Sequence, residues 1–206
     1  MALYELTKRL FDIVVSSISL IVLSPVFIGC AIAIKLDSPG PVFYTGSRVG
    51  RYGKPIQLLK FRTMWDGAGG PSSAGDDDPR ITKVGVLLRK FKLNELPQLI
   101  NVLRGDMSFV GPRPQVQWDV DLYTPEEKVI LSIPPGITDY ASIRFHDEGE
   151  ILKGSADPDK DYFEKIRPEK IQLQLRYVRE RSWPTDLSIL FQTAMVLVAS
   201  RVGGNR

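Results

Sequence analysis

The sequence contains one cysteine, Cys30, and one histidine, His146. A single cysteine excludes an intramolecular disulfide framework and any zinc site built on thiolates. A single histidine leaves nothing from which to assemble a His-based metal cluster. Charge of one sign is also scarce: 27 Lys and Arg stand against 24 Asp and Glu, a net charge of +3. That surplus is too small for a cationic nucleic-acid binder, so no nucleic-acid partner is expected. What is present is ordinary. With 206 residues, 43% hydrophobic and 25% charged, the chain has enough material for a core without covalent staples.

The basic surplus is unevenly placed. Residues 1–60 hold seven Lys and Arg against three acids. These cations flank one long apolar run, Ile13 to Ile34, which has 22 positions without a charge. As a straight helix it would measure ~33 Å, against a bilayer core of ~30 Å. Two features argue against a simple span. Pro25, after Ser24, removes a hydrogen bond near the middle and predicts a kink. Both flanks are basic (Lys8 and Arg9 before; Lys35, Arg48, Arg51 and Lys54 after), and this favours both ends on the cytoplasmic side. The expectation is a re-entrant helix over 1–36, broken at Ser24-Pro25, followed by a cytosolic domain over 37–206. A spanning helix and a buried core helix are the alternatives.

Downstream, Ser38-Pro39-Gly40-Pro41 marks a boundary. Val42-Phe43-Tyr44 and Ile56-Gln57-Leu58-Leu59 read as strands joined through Arg51-Tyr52-Gly53-Lys54. Residues 66–79 are a Gly/Ser/Pro-rich loop whose Asp76-Asp77-Asp78 run reads better as solvated than as a cation site. Apolar spacing predicts helices over 81–91 and 95–103, the second with Asn94 as N-cap and Pro97 in its first turn. Met107 to Val110 and Ile137-Thr138 read as short strands. An amphipathic helix runs from Pro168 to Arg181, and a last apolar helix from Asp186 to Ala199 could lie on a bilayer surface. The fold class is α+β.

Four places could carry chemistry. Asn94-Glu95 at a helix start, with Arg89, Lys90 and Lys92 upstream, suits phosphate; a cap with solvated lysines is the alternative. Pro112-Arg113-Pro114 pre-orders a guanidinium fork for bidentate phosphate or carboxylate recognition, or is only a rigid turn. Lys60 and Arg62 flank Phe61, and strand alternation would send both to one face, toward a pocket or toward water. His146, beside acids, reads as structural or exposed rather than as a base.

The order of these blocks carries a resemblance. Lys8-Arg9-x-x-Asp12, the apolar run with Ser24-Pro25, Asp37-Ser38-Pro39-Gly40-Pro41-Val42-Phe43, Lys60-Phe61-Arg62-Thr63-Met64, Leu93-Asn94-Glu95-Leu96-Pro97-Gln98, residues 105–114 and Pro135-Gly136-Ile137-Thr138 together resemble the monotopic polyprenyl-phosphate phosphoglycosyl transferases. These are bacterial sugar transferases that start glycan assembly. The resemblance covers nearly the whole chain.

It implies transfer of a phospho-sugar from a UDP-sugar to undecaprenyl phosphate with release of UMP, through a covalent phospho-sugar enzyme intermediate and with Mg²⁺. It implies a monotopic protein on the cytoplasmic face of the bacterial inner membrane, in contact with phospholipids. An exposed membrane-side surface could support a homodimer. Residue by residue, Asn94 falls on the family's nucleophilic Asp and Glu95 on the second acid of the pair. Asn94 and Glu95 would then be the metal-side pair, Lys60 and Arg89 the cationic support and Arg113 a phosphate clamp, with Arg62 added as a phosphate-side candidate by its strand position beside Lys60.

The sequence departs from the family at Asn94, an amide where a carboxylate attacks, and at Gln174, Asp139 and Pro134. Three explanations stay open: a deliberate Asp-to-Asn change that traps substrate, native use of Glu95 as nucleophile, or a catalytically inactive relative that binds nucleotide sugar or lipid phosphate.

Overall fold

A computed structural model describes residues 2–71 and 73–202. The N-terminal run forms two helices, α1 (Ala2–Val22) and α2 (Ser24–Asp37), bent by 60° at Leu23. The bend has a local chemical cause. Pro25 cannot donate to the Ile21 carbonyl four residues back, and the Ser24 hydroxyl donates to that carbonyl instead, at 2.8 Å. Among the described residues no single helix is long and apolar enough to cross a membrane; the bent pair taken together is. Leu3, Leu6, Leu10, Ile21, Ile28 and Leu36 are each more than half exposed along it.

The rest is a mixed α+β unit. Strands β1 (Phe43–Val49) and β2 (Pro55–Phe61) form an antiparallel hairpin, with Phe43 opposite Phe61 and Val49 opposite Pro55. The strands are longer than the two apolar runs alone indicate, because Thr45, Gly46 and Ser47 continue the ladder. Helix α3 (Lys83–Lys90) starts at Thr82, whose side chain accepts from the Gly85 N–H. Helix α4 (Gln98–Arg104) follows, then β3 (Ser108–Val110), α5 (Gln117–Asp121) and β4 (Gly136–Thr138). Short helices α6 (Tyr140–Arg144), α7 (Glu148–Ile151) and α8 (Pro158–Asp161) lead to α9 (Arg167–Glu180) and α10 (Trp183–Val202). Pro184 lies in the first turn of α10, where its missing N–H costs nothing, so this helix opens at Trp183 rather than at Asp186.

Asn94 does not cap a helix. Lys92 takes a left-handed conformation (φ 55°), the chain makes a 3-10 turn over Leu93–Glu95, and α4 opens only at Gln98 with Pro97 before it. The reason is Pro97: without an N–H it leaves the Leu93 carbonyl to Leu96 N, an i to i+3 bond of 3.1 Å.

Helix α4 is pinned on both sides. Asn101 accepts from Leu59 N at 3.0 Å and donates to the Gln57 carbonyl at 2.7 Å, closing the free edge of β2. Arg9 of α1 donates to the last α4 carbonyls, Val102 at 2.6 Å and Leu103 at 2.7 Å, where the helix dipole favours a cation. Asp12 of α1 accepts from Ser108 Oγ and Phe109 N, which ties the same helix to β3. A third tie joins α1 to α10: Lys8 Nζ and Asp186 Oδ2 meet at 2.5 Å, and the Tyr4 and Tyr177 hydroxyls donate to the same carboxylate at 2.8 Å each.

Strands β3 and β4 run parallel, with Ser108 beside Gly136 and Val110 beside Thr138. Where they continue, Gly111 and Gly136 pass so closely that a Cβ on Gly136 would overlap the Gly111 backbone. Gly111 N donates to the Thr138 carbonyl and Gly136 N to the Pro112 carbonyl, each at 3.0 Å. This double crossing fixes the loop that carries Arg113.

Candidate active site

The hairpin, the turn before α4 and the loop after β3 converge on Glu95. Arg113 grips it with both prongs: Nη1 donates to Oε2 at 3.1 Å and Nη2 donates to Oε1. Lys60 Nζ donates to the same Oε1 at 3.2 Å. The flanking prolines pre-order the Arg113 fork, and the fork takes a carboxylate in this structure. The Arg113 carbonyl is also held, by Gln115 Nε2 at 3.1 Å and Gln174 Nε2 at 3.3 Å.

The electrostatics follow from this triad. Burial pushes the Glu95 carboxyl up, but Arg113 and then Lys60 outweigh it and hold the group well below the usual carboxylate range. Burial pushes the Lys60 ammonium down; Glu95 opposes, the nearby Arg113 charge adds to the fall, and the result is about 8. Glu95 raises Arg113 above its ordinary value against the opposing effect of burial. Glu95 is therefore an ionised carboxylate framed by cations, and Lys60 is the member of that frame that loses its charge at about 8.

Arg48 and the Glu148–Lys170 pair lie in the same electrostatic neighbourhood. Arg48 is lowered first by burial, and the charge of Arg113 lowers it further. Lys170 donates to Glu148 at 3.0 Å. Asp139 is fully buried; one oxygen accepts from Ser142 N at 2.6 Å and the other has no hydrogen-bond partner. Burial pushes its carboxyl up. Asp139 acts as the cap of α6, which accounts for an acid at the end of Pro135-Gly136-Ile137-Thr138.

The sequence candidates separate into two groups. Lys60, Glu95 and Arg113 come together, with Asn94 adjoining Glu95 in the chain. Arg62 does not join them. Strand β2 ends at Phe61, so alternation no longer governs Arg62, and its guanidinium turns under the hairpin to the Pro41 carbonyl (2.6 Å) and the Ser38 carbonyl (3.0 Å). Arg89 points to the loop before α3, reaching the Ala74 carbonyl at 3.4 Å and Asp76 at 3.9 Å. In that loop Asp77 accepts from Gly154 N and Asp78 pairs with Arg80, so with the Arg89 contact to Asp76 all three acids are engaged. His146 is half-buried, with Nδ1 3.2 Å from the Ile143 carbonyl. The residue that motif reading overlooks is Arg48; the hairpin register is the signal that places it on the Lys60 face.

A hard cation would find a limited donor set. Asn94 Oδ1 is buried and has no hydrogen-bond donor. Glu95 beside it is one carboxylate already shared by two cations, and no group of three or more His, Cys, Asp or Glu able to hold a metal is gathered among the described residues. These residues fit Mg²⁺ in its common mode, in which water and substrate phosphates supply most ligands and one or two protein oxygens the rest.

The site is thus an ionised carboxylate within a cationic frame, on a unit tied to a bent apolar helix pair. The family described as bacterial sugar transferase matches residues 3–200, and the chain belongs to that family. It is 41% identical over 198 residues to the UDP-glucose:undecaprenyl-phosphate glucose-1-phosphate transferase of Escherichia coli, covering 92% of this chain and 39% of that protein. It is 36% identical over 203 residues to the protein of the same name from Caulobacter vibrioides, covering 95% of this chain and 71% of that one. It is 34% identical over 202 residues to an Aeromonas hydrophila UDP-N-acetylgalactosamine-undecaprenyl-phosphate N-acetylgalactosaminephosphotransferase, covering 95% and 44%. The chain thus spans about two fifths of the length of the E. coli relative.

Proposed function

We propose that the chain transfers a sugar phosphate from a UDP-sugar to undecaprenyl phosphate, from the cytoplasmic face of a bacterial inner membrane. The observation that carries this reading is Glu95, an ionised carboxylate held by Arg113 and Lys60. The names of the relatives supply the substrate class.

The site chemistry follows from charge. The diphosphate of the donor competes with Glu95 for Arg113 and Lys60, because both cations bind phosphate oxygens as readily as carboxylate. Released from the fork, a Glu95 oxygen attacks the β-phosphorus. The bond from that phosphorus to the bridging oxygen breaks, and UMP leaves with the electron pair. A phosphate oxygen of undecaprenyl phosphate then attacks the same phosphorus, and the Glu95 carboxylate is regenerated. Dividing the transfer in this way replaces one difficult step by two easier ones. Neither attacking group needs a general base, since both are anions. Mg²⁺ bound beside Asn94 and Glu95 would neutralise charge on the diphosphate. The amide of Asn94 is no nucleophile, and its role is as an oxygen donor next to Glu95.

The helix pair α1–α2 is proposed to enter the membrane at one face and return to it. The 60° bend and the exposed apolar residues on both limbs support this. The ties from α1 to α4, β3 and α10 would then set the site at a fixed height above the lipid headgroups. The test of function is UMP release from a panel of UDP-sugars with and without undecaprenyl phosphate. Acceptor-dependent UMP from one sugar nucleotide is the expected result, and no release from any of them would contradict the reading.

A further inference from the structure

We propose that Arg48 is the phosphate-binding residue for the nucleotide half of the donor, separate from the Arg113–Lys60 pair that frames Glu95; this rests on the transferase reading above.

The hairpin register sets Tyr44 opposite Lys60, Gly46 opposite Leu58 and Arg48 opposite Ile56. Tyr44, Gly46 and Arg48 share one face of β1, because side chains alternate along a strand. Gly46 contributes no side chain. A Cβ there would lie 3.1 Å from Tyr44 Cε1, 3.2 Å from Arg48 Nη1 and 3.3 Å from the Tyr44 hydroxyl. The phenol and the guanidinium therefore lie over the same spot, approaching it from opposite directions along the strand. The missing Cβ is what lets Arg48 fold back toward Lys60 instead of standing out into water.

The guanidinium held there has no anionic partner. Arg48 makes no ion pair among the described residues, and its one hydrogen bond is from Nη1 to the Ser47 carbonyl at 2.8 Å. Arg113 and Lys60 share the single carboxylate of Glu95. A half-buried guanidinium that feels the charge of Arg113 and has most of its donors open is the costly member of this group. An anion with several oxygens offsets that cost, and phosphate matches the fork.

Which phosphate is decided by the direction of the hairpin. At one end Phe61 and Val42 pack with Phe27, Cys30 and Ile34 of α2. At the other end Val49 packs with Val120, Tyr123 and Ile130, away from the apolar helix pair. Arg48 is anchored four residues beyond Tyr44 in that direction, about 13 Å along the strand at ~3.3 Å per residue, and its guanidinium reaches back only as far as Gly46 and the Tyr44 hydroxyl, on the water side of Lys60. An acceptor lipid brings its phosphate from the side of α2, whereas a soluble nucleotide arrives from water. Arg48 thus meets the phosphate that departs with the nucleoside, and Lys60 and Arg113 meet the phosphate that is transferred.

The test is calorimetric titration of the full chain in detergent with UMP, UDP and, separately, a short-chain polyprenyl phosphate. Arg48→Met should weaken UMP binding by about 10- to 100-fold, the range for losing a hydrogen bond to a charged group. It should leave polyprenyl phosphate binding within about twofold of wild type. Arg48→Lys keeps charge and stem length but loses the fork, and should weaken UMP binding to a smaller extent; it decides the matter if Arg48→Met fails to fold. Wild-type UMP affinity in Arg48→Lys and in any folded Arg48→Met would overturn the assignment. Loss of polyprenyl phosphate binding with UMP binding retained would overturn it equally, by moving Arg48 to the acceptor side. A wild-type chain that binds neither UMP nor UDP would instead overturn the transferase reading, and the assignment with it.

Discussion

Arg113 and Glu95 are joined through both prongs of the guanidinium, 18 positions apart in sequence and on separate elements. Each lies on a backbone that cannot easily yield: the arginine between Pro112 and Pro114, the glutamate in a turn set by Pro97. The donor diphosphate has to displace this bond, so the fork contributes both to binding and to release of Glu95.

Arg113→Lys keeps the charge and loses the fork. Affinity for UDP-sugar is expected to fall by about 1.5–3 kcal/mol, the range for hydrogen bonds to charged groups. Steady-state kinetics at several donor concentrations read this directly. Wild-type kinetics in the variant would reduce Arg113 to a structural turn residue.

Lys60 supplies a pH signature. Its ammonium titrates at about 8 in the folded protein against an ordinary 10.5, so its positive charge is lost as pH rises through about 8. Phosphate binding that needs this cation should fall on the alkaline side of that value. Lys60→Arg should move the fall to much higher pH, because a guanidinium stays charged. The linkage to stability has the opposite sense. Between about 8 and 10.5 the unfolded chain holds more protons at this lysine, so its effect on folding becomes more favourable as pH rises. A kcat/KM profile for both proteins from pH 6 to 10 checks the first point, and an unchanged alkaline limb in Lys60→Arg would remove Lys60 from the titration.

The buried contact of Lys8 with Asp186 fastens α1 to α10, with Asp186 1% exposed and Lys8 9%. Asp186→Ala leaves a buried ammonium and the Tyr4 hydroxyl without their carboxylate, while the Tyr177 hydroxyl keeps the Val110 carbonyl as acceptor. A loss of about 3–5 kcal/mol is expected for breaking one side of such a pair. The double change Lys8→Met with Asp186→Leu should cost less than Asp186→Ala alone. Thermal unfolding in detergent compares them, and equal costs would show that the pair carries no special coupling.

Membrane topology is tested by labelling. In a Cys30→Ala background, single cysteines at the exposed positions Ala2 and Ala68 are expected to show the same sidedness toward an impermeant thiol reagent in intact cells. Opposite sidedness would require α1–α2 to cross the bilayer.

Local chemistry was legible where it was short-range. Turn residues between two short apolar runs, 42–44 and 56–59, indicated a hairpin though not its full length, and Ser24-Pro25 indicated the bend. Signals that depend on distant partners were not legible. Asn101 looks like an ordinary helix residue, yet it closes the edge of β2 and so brings Glu95 to Lys60. Asn94 has the chemistry of a cap, but Pro97 withholds the N–H that an α-helical start would need. Arg62 follows the alternation of β2 only until the strand ends one residue earlier, where carbonyls of the loop after α2 claim its guanidinium. Arg48 needs the hairpin register before its face is known.

The central claim is that Glu95, with Asn94 beside it, is the group that attacks phosphorus. Removing a nucleophile can cost up to about 10⁶ in rate, so Glu95→Gln should abolish turnover. The direct measurement is intact-protein mass spectrometry after incubation with the UDP-sugar that supports UMP release, applied to the wild-type chain, Glu95→Gln and Asn94→Asp. A phospho-sugar adduct on the wild-type chain, absent from Glu95→Gln and little changed in Asn94→Asp, is the predicted result. No adduct on the wild-type chain and a clear adduct on Asn94→Asp would contradict it, and would identify position 94 as the disabled nucleophile.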